Sequence, residues 1–280
     1  MMSKRFVSLR IHPLTWGLAG VSFLTGQFLP FFILFSLIIL HEAGHAAAAR
    51  LFGWKFRSVT LLPFGGKLEF EECLDRPFRE ELIVTLAGPF QHLVMGMIAF
   101  LFLKEWIYYP LLMHLNIQLL LFNLLPLWPL DGGRCIFLLF GKFLPFLSAM
   151  EQVLLISAMG LAVSFFVMTV WFTFNLQFMF VLSYVALSCY VQWKTRFILQ
   201  EQFWLERWKM KKQHDDVITL TVNSHDALYE VLKKIKKGSS IIIVIKQQEK
   251  TVGVLTDQLA LQGFFKKGWR QKPVITLLQN

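Results

Sequence analysis

The sequence predicts a polytopic α-helical membrane protein of about six transmembrane helices, followed by a small C-terminal α/β module. Three observations carry this. Hydrophobic residues make up 55% of the 280, with 29 Phe among them, and the mean hydropathy is +0.53, well above that of soluble domains. Several apolar runs are long enough to cross the hydrocarbon core of a bilayer. Beyond residue 214 the long runs give way to short strand and helix periods.

The elements follow in order. The N-terminus (MMSKRFVSLRIHPL) is basic, lacks a small-x-small cleavage pattern and leads into continuous apolar sequence, so it reads as a retained first span over 11–29. Gly26 and Pro30 mark a turn into span two, 31–52. In 53–70 the pieces Val-Thr-Leu-Leu and Lys-Leu-Glu-Phe flank Pro63-Phe64-Gly65-Gly66, which predicts a hairpin too short and mixed to span. Span three covers 81–103 and contains Ala87-Gly88-Pro89; span four covers 106–125. Pro126, Pro129, Gly132 and Gly133 then break the chain, and 135–147, with Lys142, reads as a short or re-entrant helix. Spans five and six cover 153–174 and 177–193, with Asn175 at the turn.

Positive charge fixes the orientation. Lys4, Arg5 and Arg10 precede span one; Arg50, Lys55, Arg57, Lys67, Arg76 and Arg79 follow span two; Arg134 and Lys142 follow span four. Only Lys104 falls in the opposite turns, so both termini are expected in the cytosol. Cys73, Cys135 and Cys189 offer no disulfide framework, which fits a reducing aqueous side.

The division expected is a membrane domain over 1–193, an amphipathic linker over 194–214 and a module over 215–280. The linker mixes Phe197, Phe203, Trp204 and Trp208 with basic residues, in the manner of an interfacial helix or a plain linker helix. The module reads as a strand over 217–222, then a helix over 225–237 with Leu228, Val231, Leu232 and Ile235 on one face. Strands over 240–245 and 251–255 and a helix from 256 complete it. Of the net +10, residues 194–280 hold 16 Lys/Arg against 8 Asp/Glu, so the positive balance belongs to the tail. Anionic lipid or an acidic partner fits that balance. The tail carries no nucleic-acid motif, and no nucleic-acid partner is expected.

Chemistry concentrates in His41-Glu42-Ala43-Gly44-His45, an H-E-x-x-H motif within the apolar second span. Residues four apart share a helix face, so two imidazoles can bind one Zn²⁺. Glu42, beside the first of them, is suited to take a proton from water as general base. Charged and imidazole groups in an apolar helix are costly, and function is the default reading over a chance match of two core histidines. A catalytic zinc site takes three protein ligands. Asp131, beside the Pro129 and Gly132-Gly133 break, is the strongest candidate for the third, the competing reading being an N-cap of the next helix. Asn123 on the same stretch is suited to bond a peptide carbonyl or a developing oxyanion. His92 and His114 read as packed polar residues or water contacts, and Cys135 as packing.

With these motifs in order, residues 1–193 resemble the site-2-protease-type intramembrane zinc metalloproteases. The resemblance implies His41, His45 and Asp131 as zinc ligands, Glu42 as catalytic base, and Asn123 and Pro129 as residues near the substrate. It makes the 59–70 segment a membrane-embedded hairpin whose Gly65 and Gly66 lie where an extended substrate can pair. The tail resembles a single CBS domain, most typically at Gly253-Val-Leu-Thr256-Asp257. That implies ATP or another adenine nucleotide at Thr256 and Asp257, although Leu259 stands where a ribose-binding aspartate is usual, and pairing into a homo-oligomer. The fusion is similar to the sporulation-type branch of endospore formers. It implies a membrane-associated sigma-factor precursor as substrate, inhibitory membrane partner proteins, and the mother-cell side of the forespore membrane. A CBS-regulated metal or ion transporter is the alternative, since intramembrane His, Glu and Asp also mark ion paths; a catalytically dead adaptor is disfavoured by the intact Glu42.

Overall fold

The computed structural model describes residues 8–62, 65–71, 74–171, 176–210, 217–248 and 250–278. Lys4, Arg5, Pro63, Phe64, Cys73, Asn175 and residues 211–214 lie outside them.

In chain order the elements are β1 (Ser8–Ile11), α1 (Pro13–Leu24), α2 (Phe28–Leu51), β2 (Phe56–Leu62), β3 (Gly65–Phe70), α3 (Phe78–Phe102) and α4 (Tyr109–Leu124). Then come α5 (Asp131–Phe143), α6 (Phe146–Trp171), α7 (Leu176–Met210), β4 (Val217–Asn223), α8 (Leu228–Lys233), β5 (Ser240–Gln247), β6 (Lys250–Thr256) and α9 (Asp257–Lys266), with a 3₁₀ turn at Val274–Leu277. Two compact units result. One comprises Met1–Cys73, Arg79–Cys135 and Ser157–Ala186; the other comprises Leu74–Phe78, Ile136–Ile156 and Leu187–Asn280.

Among the described residues, α2, α3 and Phe146–Val170 of α6 are long and apolar enough to cross a membrane. The first predicted span divides differently from expectation. β1 takes its start, and α1 has 12 residues, about 18 Å, against roughly 30 Å of hydrocarbon. His12 accepts from the Leu14 N–H and Pro13 occupies the first helical turn, so the chain is capped into a short helix at this point.

Helix α3 turns its polar side inward. Glu81, Thr85, Gly88 and His92 are buried, while Ile83, Leu86, Phe90, Leu93 and Met97 are exposed. That is the arrangement lipid demands, because polar groups find partners only inside the protein.

The end of α2 sets up the hairpin. Gly53 has φ +69°; its N–H bonds the Arg50 carbonyl, and the Trp54 N–H bonds the Ala49 carbonyl. This left-handed cap closes the helix and folds the buried Trp54 back against Ala48, Ala49 and Val84. β2 then pairs antiparallel with β3, from Leu62↔Gly65 to Phe56↔Phe70. β1 adds in parallel to β2, giving the order β1-β2-β3 with β3 at an edge.

In the second unit, β4 and β5 are parallel with α8 between them, and β6 returns antiparallel to β5. Ile241, Ile243 and Ile245 are buried at alternate positions, as a sheet with one covered face requires. They join Val231, Leu232 and Phe264 in the module's core. Within the same unit Phe146 stacks on Phe203 at 4.6 Å, beside the fully buried Trp204. Helix α7 continues well past Trp193, and its Arg207 is 2% exposed.

Candidate metal centre

On α2, His41 and His45 lie one turn apart, with rings edge to face and Nε2 atoms 3.1 Å from each other. Asp131, the first residue of α5, brings Oδ2 to 3.1 Å from His41 Nε2 and 3.3 Å from His45 Nε2. Among the described residues these three offer ligand atoms all within 4.8 Å of one another.

Three facts fit this group to zinc. Zinc bonds of about 2.0–2.2 Å in a tetrahedron set neighbouring ligand atoms roughly 3.3 Å apart, and the observed spacings agree. His45 Nδ1 meets the Val84 carbonyl at 2.7 Å; a carbonyl only accepts, so Nδ1 holds the proton and Nε2 is left with its lone pair. Asp131 Oδ2 is buried, and both Nε2 atoms face it.

Glycines allow the approach. A Cβ at Gly88 would fall on the His45 ring and lie 2.7 Å from His41 Cε1. One at Gly44 would lie 2.6 Å from the Ala87 carbonyl oxygen, so α2 and α3 meet here at backbone distance. At Gly133 a Cβ would lie 2.6 Å from Trp128 N, and at Gly132 it would meet the Leu124 and Leu125 carbonyls. The Asp131-Gly132-Gly133 turn of α5 can therefore press against the preceding loop, which carries the carboxylate to the histidines. That loop is anchored where the Trp128 N–H donates to Ser157 Oγ at 2.8 Å.

Glu42 is 9% exposed, and its Oε1 accepts from the Gly66 N–H at 2.8 Å. The hairpin edge thus lies on the carboxylate next to His41.

Residues 30–109 match the model for Peptidase family M50. The chain is 32% identical over 272 residues to Stage IV sporulation protein FB of Bacillus subtilis (strain 168), covering 92% of each chain. The chain belongs to peptidase family M50. It is an integral membrane zinc metalloprotease of the site-2 protease type. It is also 33% identical over 119 residues to a zinc metalloprotease of Methanocaldococcus jannaschii, a stretch covering 40% of this chain and 34% of that protein. The solved Site-2 Protease from Methanocaldococcus jannaschii shares the fold at TM-score 0.54 and 23% identity, over 68% of this chain and 92% of that one.

The other sequence-predicted residues of the protease fall variously. Gly66 touches Glu42, whereas a Cβ at Gly65 would meet nothing within 4 Å. Pro129 follows a cis peptide bond in the loop that delivers Asp131. Asn123 donates through Nδ2 to the Leu119 carbonyl of its own helix at 3.0 Å. Thr256 caps α9 by accepting from the Leu259 N–H. Asp257 is buried and bonds Arg207 Nε at 2.8 Å and Nη2 at 2.7 Å. Both candidate nucleotide-binding side chains are therefore already engaged.

The sequence reads His92 as a packed polar residue, and the structure packs it against the site. It is 1% exposed, its ring lies 5.1 Å from that of His41, and its Nδ1 is 2.8 Å from Asn116 Oδ1. One signal was available: His92 stands one turn after Gly88, so both share the face of α3 that meets the histidines.

Proposed function

We propose that His41, His45 and Asp131 hold the zinc ion and that Glu42 is the general base for hydrolysis of a peptide bond within the membrane. The convergence of the two Nε2 atoms and Asp131 Oδ2 beside a buried Glu42 carries this reading. A zinc ion held there supplies Lewis-acid polarisation of the scissile carbonyl and acidifies water. Glu42 takes the proton of the attacking water as oxygen bonds to the carbonyl carbon. It then passes that proton to the leaving nitrogen as the carbon–nitrogen bond breaks. The Gly66 N–H orients the carboxylate. The outer edge of β3 pairs with an extended substrate through main-chain hydrogen bonds, near Gly65, Pro129 and Asn123. Hydrolysis at this depth requires the substrate helix to unwind, because a helical peptide bond is shielded.

The substrate we propose is a membrane-associated sigma-factor precursor cleaved during sporulation. The match to a stage IV sporulation protein over nearly the whole chain supports it. Inhibitory membrane partners, contact of the basic tail with anionic lipid, six spans with both termini cytosolic and a CBS-type tail that pairs between copies belong to the same proposal. So do the 1–193, 194–214 and 215–280 division and residence in the mother-cell side of the forespore membrane. The test is co-expression with a membrane-tethered precursor. A zinc chelator should stop cleavage and added zinc restore it; cleavage indifferent to the chelator refutes the metal reading.

A further inference from the structure

The two zinc-binding histidines are not supported alike. His45 Nδ1 donates to the Val84 carbonyl, but His41 Nδ1 is buried with no hydrogen-bond partner among the described residues. Ligating imidazoles regularly donate their second nitrogen to an acceptor, which fixes the ring and makes it a stronger ligand. When Nε2 of His41 ligates zinc, the neutral ring carries its proton on Nδ1.

Next to it, His92 has the opposite vacancy. Asn116 Nδ2 lies 2.8 Å from the His92 carbonyl, and a carbonyl can only accept, so the amide orientation is fixed and Oδ1 faces the ring. His92 Nδ1 therefore donates to Oδ1 and, in the neutral ring, Nε2 keeps its lone pair. That Nε2 is buried and has no hydrogen-bond partner among the described residues. A donor without an acceptor and an acceptor without a donor sit on rings whose centroids are 5.1 Å apart. Orphans of this kind are costly, and each supplies what the other lacks.

We propose that His92, set in one tautomer by Asn116, is the positioning residue that accepts the His41 Nδ1–H, through a small ring rotation or one bridging water, and so completes the support of the zinc site. The chain Asn116–His92–His41 runs from α4 through α3 to α2. It gives the His41 ring the orientation that Val84 gives His45. The inference rests on the zinc assignment proposed above.

The experiment measures zinc affinity of the full-length purified protein by competition with a chromophoric chelator. His92→Phe keeps a ring without the acceptor and should weaken zinc binding about 10–100-fold. Asn116→Leu, which frees the tautomer, should shift affinity in the same direction, and His92→Gln, which restores an acceptor, should recover most of it. Cobalt substituted into His92→Phe should show an altered visible spectrum, and His92→Gln should restore the wild-type one, as a merely structural role would not require. Unchanged affinity in His92→Phe, or equal loss in His92→Gln, overturns the proposal. Should the variants fail to fold, ¹⁵N-histidine spectra of the wild-type zinc form decide it: an unprotonated His92 Nε2 is expected, and a protonated one refutes the assignment. Wild-type protein that binds no zinc would instead defeat the metal assignment itself.

Discussion

The Gly66 N–H donates to Glu42 Oε1 at 2.8 Å, and a Cβ at Gly66 would lie 2.7 Å from that oxygen and closer still to the carboxyl carbon. The hairpin and the proposed base are thus in backbone contact, and only glycine permits it. Gly66→Ala should displace Glu42 and lower kcat/KM about tenfold or more, equivalent to about 1.4 kcal/mol of transition-state stabilisation. Zinc content should stay at the wild-type level. Assaying the purified variant against a membrane-tethered substrate, with metal analysis alongside, checks both halves.

Gly88→Ala attacks the proposed ligands instead. Its methyl would fall on the His45 ring, so the expected outcome is lower zinc stoichiometry together with lost cleavage. Elemental analysis distinguishes the two glycines: loss of metal at Gly88, retention at Gly66.

Removing the third proposed ligand separates ligation from capping. Asp131→Ala should lose zinc on dialysis under conditions where wild type retains it. An N-cap role alone would leave metal content unaltered and cost about 1 kcal/mol of helix stability.

The second unit is held by a buried ion cluster. Arg207 bonds Asp257 twice, lies 3.5 Å from Asp75, and donates through Nη1 to the Lys236 carbonyl at 3.1 Å and through Nη2 to the Ser239 carbonyl. Arg207→Met removes the cation that bonds the buried Asp257 and should destabilise the fold by about 3–5 kcal/mol. Denaturant titration in detergent reads this out. Because Asp257 is committed to Arg207, ATP should not raise the melting temperature; a rise that grows with ATP concentration would restore the nucleotide reading.

Much of this was legible in the primary structure for identifiable reasons. The H-E-x-x-H spacing forces two imidazoles onto one face of α2, and an aspartate at a Pro/Gly break in apolar sequence needs a partner, so the trio could be named before its geometry was known. The strands of the C-terminal module announced themselves by short apolar runs bounded by turn residues, as in 240–245. The rest depends on tertiary contact. β1 is four residues whose strand state comes from pairing with β2. Arg207 looks like one more cation in a basic helix, and nothing local says it is buried. His92 has no motif of its own; its meaning comes from His41 and Asn116 on two other helices.

The central claim is that Glu42 acts on water at a zinc site made by His41, His45 and Asp131. Its most direct test is Glu42→Gln, purified and assayed for both metal and cleavage. The account predicts a full complement of zinc per chain with no detectable cleavage of a membrane-tethered substrate. Cleavage at the wild-type rate would contradict it.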